Sequence, residues 1–379
     1  MLDVAPLFAP ITINGMELPN RFVLPAMQRK LCENGEPKPE LVDYFRRCAE
    51  GGVSLIITEA AAIDHRSATQ EPTYARITPQ TIAAWARCVD VVRRAGGKMF
   101  FQLWHEGAVR REGGDGPYAD APTLSPSGIR SEGRLQGRAA TLDELAEIRE
   151  SYVRSALLAK EAGAAGVEIH ACHGYLLDQF LWSVTNRRED GYGGDDFASR
   201  LRYPAEVVAA VRAAVGPDYP MSFRFSQWKQ ADYGARIVRN VQDLALLTRT
   251  IAAAGTDMFH VSTRRFYTPE WEHSPLGLAG WTKSVTSLPV IACGSVGLDT
   301  DVMDNMMVRE ARQTGEAGID ELVRRFENEE FDLISVGRAN IGDPDFVTKI
   351  RDGRLDEIRM FTRADIMPAT RAADGTRLY

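Results

Sequence analysis

The chain has 379 residues, of which 44% are apolar and 26% charged, with a formal net charge of −7. That length allows two average domains or one large α/β barrel, and the acidic balance argues against broad binding to nucleic acid or an anionic membrane, which take basic surface. No apolar run nears the ~20 residues that cross a bilayer, and the five scattered cysteines (Cys32, Cys48, Cys88, Cys172, Cys293) form no C-x-x-C pair, as expected of reduced thiols in a cytoplasmic enzyme. Residues 1–10, MLDVAPLFAP, lack the basic start and apolar core of a signal peptide.

In chain order, the first element is ITINGMEL, two alternating runs around Asn14-Gly15. Both central positions of a type I′ turn need φ > 0, which Asn and Gly tolerate, so residues 8–20 read as a hairpin that closes the barrel floor. RFVLPA from Arg21 is the first candidate strand, and ELVDYFRRCAEGG is a helix ending in Gly-Gly. VSLIITEA from Val53 is the second strand, followed by TPQTIAAWARCVDVVRRAGG, a helix expected to open at its Thr-Pro. KMFFQLW from Lys98 is the third.

A Gly- and Pro-rich stretch, residues 106–140, then interrupts the repeat; it is too long for a bare connection and is expected to cap the barrel mouth. TLDELAEIRESYVRSALLAKEAGA opens with a capping box from Thr141 to Glu144. Four more strands come next: GVEIHA from Gly166, YPMSFRFS from Tyr219, MFHVST from Met258 and PVIACGS from Pro289; FDLISVGR from Phe331 is the last. After the sixth, residues 264–277 place Phe266, Tyr267 and Trp271 on a rim loop, read as a substrate-binding lid or as a packed structural loop. Eight strands alternating with helices imply a parallel sheet closed into a single (β/α)8 TIM barrel over residues 1–379.

Active sites of such barrels sit at the C-terminal ends of the strands. Those ends carry Gln102, His105, His170, His173, Tyr175, Arg224 and Arg338, with few carboxylates, chiefly Glu59 and Glu168. Metal hydrolases on this fold take bridging carboxylates or more histidines, so a metal-dependent hydrolase or aldolase with His170 and His173 as ligands stands as the alternative reading. CGSVG and GRANIGDP come after the seventh and eighth strands, where barrels often hold phosphate; there Gly294 and Gly337 let the backbone approach, and Ser295 and Arg338 offer donors. With the amide of Gln102 and the cation of Arg224, this set suits a flavin better than a sugar phosphate. A salt bridge inside the barrel, with Glu168 as partner, is the plainer reading of Arg224.

The segments LFAPITINGMELPNRFVLPAM, QLWHEG, IHACHGYLLDQFLWSVTNRREDGYGG, FRFS and ISVGRANIGDP together resemble the Old Yellow Enzyme family of FMN-dependent ene-reductases over nearly the whole length. The resemblance implies that FMN lies across the barrel mouth against Pro25, Ala26, Met27, Gln28, Ala60, Gln102 and Arg224. Its phosphate would meet Gly294, Ser295, Gly337 and Arg338. It also implies that His170 and His173 bind the substrate oxygen, that Tyr175 gives a proton, and that NAD(P)H is the reductant. Assembly into a homo-oligomer stays open. The chain departs from the family at Gln28, where many relatives have Thr or Cys, and at Ala108, where an Arg is frequent and where Arg110 and Arg111 are the candidate substitutes. In some relatives a C-terminal Arg, here Arg377, reaches a neighbouring subunit.

Overall fold

The computed structural model describes residues 2–113 and 116–366; Arg377 lies outside them. Eight parallel strands close into a barrel. They are β1 (Phe22–Leu24), β2 (Leu55–Ala62), β3 (Lys98–Trp104), β4 (Gly166–His173), β5 (Met221–Lys229), β6 (Met258–Ser262), β7 (Val290–Cys293) and β8 (Leu333–Ser335). β8 pairs with β1 through Ile334 and Phe22, which completes the ring. With β-branched and aromatic residues buried on both faces of the strands, the sheet needs helices outside and a filled interior.

The interior is filled differently at its two ends. At the N-terminal end, Ile11–Ile13 and Met16–Leu18 pair as the expected hairpin, with Asn14 at φ 44° and Gly15 at φ 74°. Ile13, Met16 and Leu18 pack on Val23, Leu55, Ile57, Phe100, Met258, Ile291 and Leu333, one inward residue or more from each of six strands. This is an apolar plug under the barrel.

Helices α1 (Pro39–Glu50), α2 (Ile82–Arg94) and α3 (Leu142–Glu161) cover the first strands. The capping box on α3 is formed: Thr141 accepts from the Glu144 amide, and the Glu144 carboxylate accepts from the Thr141 N–H at 2.8 Å. α2 departs from the expectation and starts at Ile82, after the Thr-Pro pair. The Thr81 hydroxyl donates to the Arg76 carbonyl at 2.7 Å and accepts from the Thr78 N–H at 3.2 Å, so residues 78–81 form a separate turn. Further round the barrel lie α4 (Phe197–Val215), α5 (Val241–Ala254), α6 (Leu278–Val285) and α7 (Gly315–Glu327).

Residues 106–113 and 116–140 fold over the rim. Ile129–Ser131 pairs antiparallel with Arg134–Leu135, and Leu124–Ser125 pairs with Arg138–Ala139. Arg110 is buried and donates to the carbonyls of Ala121 and Tyr118, at 2.8 and 2.5 Å, which ties this excursion together. Arg111 is exposed.

Candidate active site

A cavity of about 770 Å³ opens at the C-terminal ends of the strands. It is lined by Pro25, Ala26, Met27 and Gln28 after β1, Ala60 in β2, Gln102 in β3, Arg224 in β5, Gly294 and Ser295 after β7, and Gly337 and Arg338 after β8. His170, His173 and Tyr175 form another wall. The fold thus brings to one place the residues expected at the flavin together with His170, His173 and Tyr175, but not the rim aromatics Phe266, Tyr267 and Trp271.

The floor of the cavity is polar and closed. Glu168 is fully buried; it accepts from Gln102 Nε2 at 2.7 Å and Ser222 Oγ at 3.0 Å, and faces His260 Nδ1 at 2.7 Å. Burial alone would raise the Glu168 pKa, but the charge and hydrogen bond of His260, with smaller help from the Arg224 charge and the Gln102 amide, outweigh it and bring the group down to about 2. Glu168 therefore pairs with His260, not with Arg224. Because an ionised carboxylate only accepts, Gln102 must turn its NH2 toward Glu168, leaving its carbonyl oxygen to accept from a bound group. Arg224 is also buried, and its Nη2 donates to Ser262 Oγ at 3.4 Å and to Cys293 Sγ at 3.8 Å.

One end of the cavity is glycine-lined. A Cβ at Gly294 would stand 2.6 Å from the Thr263 carbonyl oxygen, and one at Gly337 would stand 3.1 Å from Met27 Sδ, so the backbone comes closer than side chains allow. Arg338 donates to Ser295 Oγ (3.1 Å), Thr300 Oγ1 (3.2 Å), the Asp301 carbonyl (3.2 Å), Asn305 Oδ1 (3.0 Å) and the Thr300 carbonyl. It shapes the turn at Ser295, where φ is 53°, and adds positive field there.

Glu59 holds the β1 side. Its carboxylate accepts from the Arg29 N–H at 3.0 Å and from the Cys32 thiol at 3.3 Å, so it pins the loop carrying Pro25 to Gln28. Burial raises its pKa to about 7.

The third wall comes from one strand end. β4 breaks its register after Ala171, and His173 (φ 63°) and Gly174 (φ 89°) turn the chain so that Tyr175 caps a short buried helix, Leu176–Leu181. The rings of His170 and His173 lie 5.5 Å apart and those of His170 and Tyr175 5.1 Å, both edge-on. His173 Nε2 meets Ser262 Oγ at 2.8 Å. Burial, reinforced by the Arg224 charge, lowers the His170 pKa to about 3 and holds His173 well below its usual value, so both are neutral near pH 7. Burial lifts Tyr175 to about 12, which keeps its proton on.

Sequence reasoning missed several lining residues. It ended the fifth strand at FRFS, whereas β5 runs on to Lys229, and the chain beyond carries Gln230 into the rim; the alternation of SQWKQ was the available signal. Trp228 stacks on His173, centroids 4.3 Å apart. Ser262, Cys293, and Arg130 and Arg134 from the rim hairpin also line the cavity.

The aromatic lid is corrected. Phe266, Tyr267 and Trp271 do not line the cavity: Phe266 is 5% exposed and packs edge-on against Tyr267 and Phe331, and Trp271 packs on Trp281 and His273. Their apolar area is taken up by α6 and the chain before β8, so the loop is structural. His105 is structural too, meeting Ser67 Oγ at 2.8 Å and accepting the Gly107 N–H at 2.9 Å.

The site's unpaired groups say what class of ligand it takes. Both amide atoms of Gln28 and the Nε of Arg224 are buried with no partner among the described residues. Each such group costs ~1–3 kcal/mol unless a ligand pairs with it. An amide, a fixed cation and an acceptor carbonyl around one cleft, with a glycine-walled anion end, match the donor and acceptor edge of a flavin and its phosphate. The fold and site thus define a flavin-binding barrel oxidoreductase.

Residues 6–357 match the model of the NADH:flavin oxidoreductase / NADH oxidase family, and the chain belongs to that family. It is 31% identical over 364 residues to an NADH oxidase of Thermoanaerobacter brockii, covering 93% of this chain and 52% of that protein. It is 30% identical over 358 residues to a metal reductase of Desulforamulus reducens, covering 93% and 50%. The chain therefore spans about half the length of these curated relatives. Among solved structures, Old Yellow Enzyme from Pichia sp. AKU4542 superposes with a TM-score of 0.79 at 24% identity, covering 98% of this chain and 92% of that one, which shows the fold. Morphinone reductase in complex with tetrahydroNAD gives 0.77 at 25%, covering 95% and 93%. Family membership makes FMN the flavin and displaces the metal-hydrolase alternative. His170, Cys172 and His173 do bring ligand atoms within 4.8 Å of one another, but of the three only the two histidines line the cavity.

Proposed function

We propose that the chain reduces C=C bonds activated by a carbonyl or nitro group (enones, enals, maleimides and nitro compounds) with NAD(P)H in a ping-pong sequence. The observation that carries this reading is the convergence of His170, His173 and Tyr175, two neutral imidazoles and a protonated phenol, on one wall of the flavin-type cavity. FMN, when bound, supplies hydride to the β-carbon of the substrate.

This chain's residues do the rest. Gln28, Gln102 and Arg224 would hold the ring edge, and Gly294, Ser295, Gly337 and Arg338 would receive the phosphate. As the β-carbon is reduced, charge builds on the substrate oxygen, and the imidazole N–H groups of His170 and His173 stabilise it; His173 exchanges its Ser262 partner for that oxygen. Donors preset at such a point contribute ~2.7–4 kcal/mol each. Tyr175 Oη then gives its proton to the α-carbon. Trp228, stacked on His173, helps to hold that ring in place.

We further propose that the whole chain acts as one FMN-binding barrel. Five free thiols with no bonded pair support a cytoplasmic setting.

The test is the visible spectrum of purified protein with and without a simple phenol. A flavin spectrum that gains a long-wavelength charge-transfer band on phenol addition, and loses that gain in His170→Ala, is expected. A flavin spectrum indifferent to phenol, in a protein that does not reduce an enone, would overturn the reading.

A further inference from the structure

The last residues of β5 and the first beyond it grip the turn that carries Tyr175. Ser226 Oγ accepts the His173 N–H at 3.0 Å, and the Gln230 N–H donates to the His173 carbonyl at 3.2 Å. Between them Lys229, fully buried, pairs with Asp178 at 2.8 Å, and the other oxygen of Asp178 accepts the Gly174 N–H at 2.6 Å. This anchorage places the Gln230 side chain on the phenol: its Nε2 lies 2.9 Å from Tyr175 Oη. The ring itself is fixed edge-on against Trp104 and His170, each with centroids 5.1 Å away.

An amide nitrogen only donates, and a phenol has one proton and two lone pairs. With Nε2 turned to the phenol, Gln230 donates and Tyr175 Oη accepts, and the Tyr175 proton has no acceptor among the described residues. We propose that Gln230 is a positioning residue of the reaction: its amide turns the Tyr175 proton into the cavity and stabilises the phenolate left after transfer. This rests on the donor role of Tyr175 proposed above. In the step, the O–H bond of Tyr175 breaks and its electron pair stays on Oη. The electron pair of the reduced substrate's enolate forms the new C–H bond at the α-carbon, and solvent later returns a proton to Oη. The ionisable groups around the Tyr175 phenol are His170, its ring edge-on at 5.1 Å, Tyr74, Glu106 and Arg130 from the rim, and Cys172 beneath; no carboxylate among the described residues bonds it directly.

The experiment uses the FMN-loaded full chain with Gln230→Met, which removes the donor at similar volume, and Gln230→Glu, which replaces it by an acceptor. Stopped-flow reduction by NAD(P)H, and reoxidation by dioxygen, which takes no proton at carbon, are expected to stay within about twofold of wild type. Reoxidation by 2-cyclohexenone is expected to slow about 10- to 100-fold in Gln230→Met, the loss of one hydrogen bond to a developing charge. In Gln230→Glu it is expected to slow further wherever the new carboxylate is ionised, above the ordinary range near ~4.3, because it accepts the Tyr175 O–H as a hydrogen bond and turns it away from the substrate. It is expected to recover as the pH falls below that range and the protonated acid donates again.

Gln230→Glu that tracks wild type at every pH would overturn the proposal, as would equal slowing of all three half-reactions. Tyr175→Phe, measured alongside, separates the layers. If it reoxidises with the enone as fast as wild type, the donor role itself fails and this proposal with it. A slow Tyr175→Phe beside a wild-type-like Gln230→Glu removes Gln230 alone.

Discussion

The two ends of the barrel interior are built from opposite materials on the same eight strands. Below, Phe100, Ile57 and Leu55 meet the hairpin residues Ile13, Met16 and Leu18 in a cluster of buried apolar side chains. Above, Gln102, Glu168, Arg224 and His260 are just as inaccessible, each 4% exposed or less, yet all are polar or charged. The lower end gains its stability from area removed from water and needs nothing else. The upper end recovers the cost of burial only through partners, and for Gln28 and Arg224 the described residues do not supply all of them. A few residues along one strand separate stability from chemistry: on β3, Phe100 belongs to the plug and Gln102 to the site.

That contrast can be broken from either side. The largest expected effect is at the top: Tyr175→Phe should slow enone reduction by about 10²- to 10⁴-fold, the usual contribution of a positioned acid, while thermal unfolding stays where it is. Rapid-mixing kinetics and calorimetry on one preparation check both halves. The mirror experiment is Phe100→Ala, expected to destabilise by ~3–5 kcal/mol in denaturant titrations and to leave the phenol charge-transfer band of whatever protein remains folded unchanged. Equal loss in both assays would mean that the two ends are one cooperative site.

His170→Ala comes next, lowering the enone rate constant by about 10²- to 10³-fold with little change in reduction by NAD(P)H. The buried Glu168–His260 pair gives a pH test. Glu168 is depressed to about 2, so its contribution is complete above the ordinary carboxylate range near ~4.3 and is lost as the pH falls toward 2. His260 is raised by Glu168 against the opposing effect of burial, so its share is complete below ~6.5 and is lost as the pH rises through its folded value. The melting temperature of Glu168→Gln should therefore lie below wild type near pH 5–6 and converge with it in strong acid; a constant gap would sink the ion-pair account. The smallest expected effect is Gln28→Thr: a shift in the flavin midpoint potential without loss of folding, read by spectroelectrochemistry.

Much of this architecture is written in local pattern. The Asn14-Gly15 turn, the Thr141–Glu144 capping box and the strand ends at Gln102, His170 and Arg224 depend on neighbours within a few residues, and periodicity exposes such features. What a side chain meets across the barrel is not. Phe266, Tyr267 and Trp271 are rim aromatics whichever way they point; α6 and Phe331 turn them into the core. Glu168 had Arg224 as its evident partner, and the closed ring brought His260 nearer. Trp228 and Gln230 were hidden because one strand runs on past its apolar run to Lys229.

By itself, then, the amino-acid order determined the repeat, the floor hairpin and which residue types stand at the strand ends, because those depend on backbone preference and alternation. Only the tertiary structure decided which of those side chains share a hydrogen bond, which buried atoms go unpaired and which aromatics face the ligand. These depend on residues far apart in the chain meeting at distances near ~3 Å, a separation that no local pattern encodes.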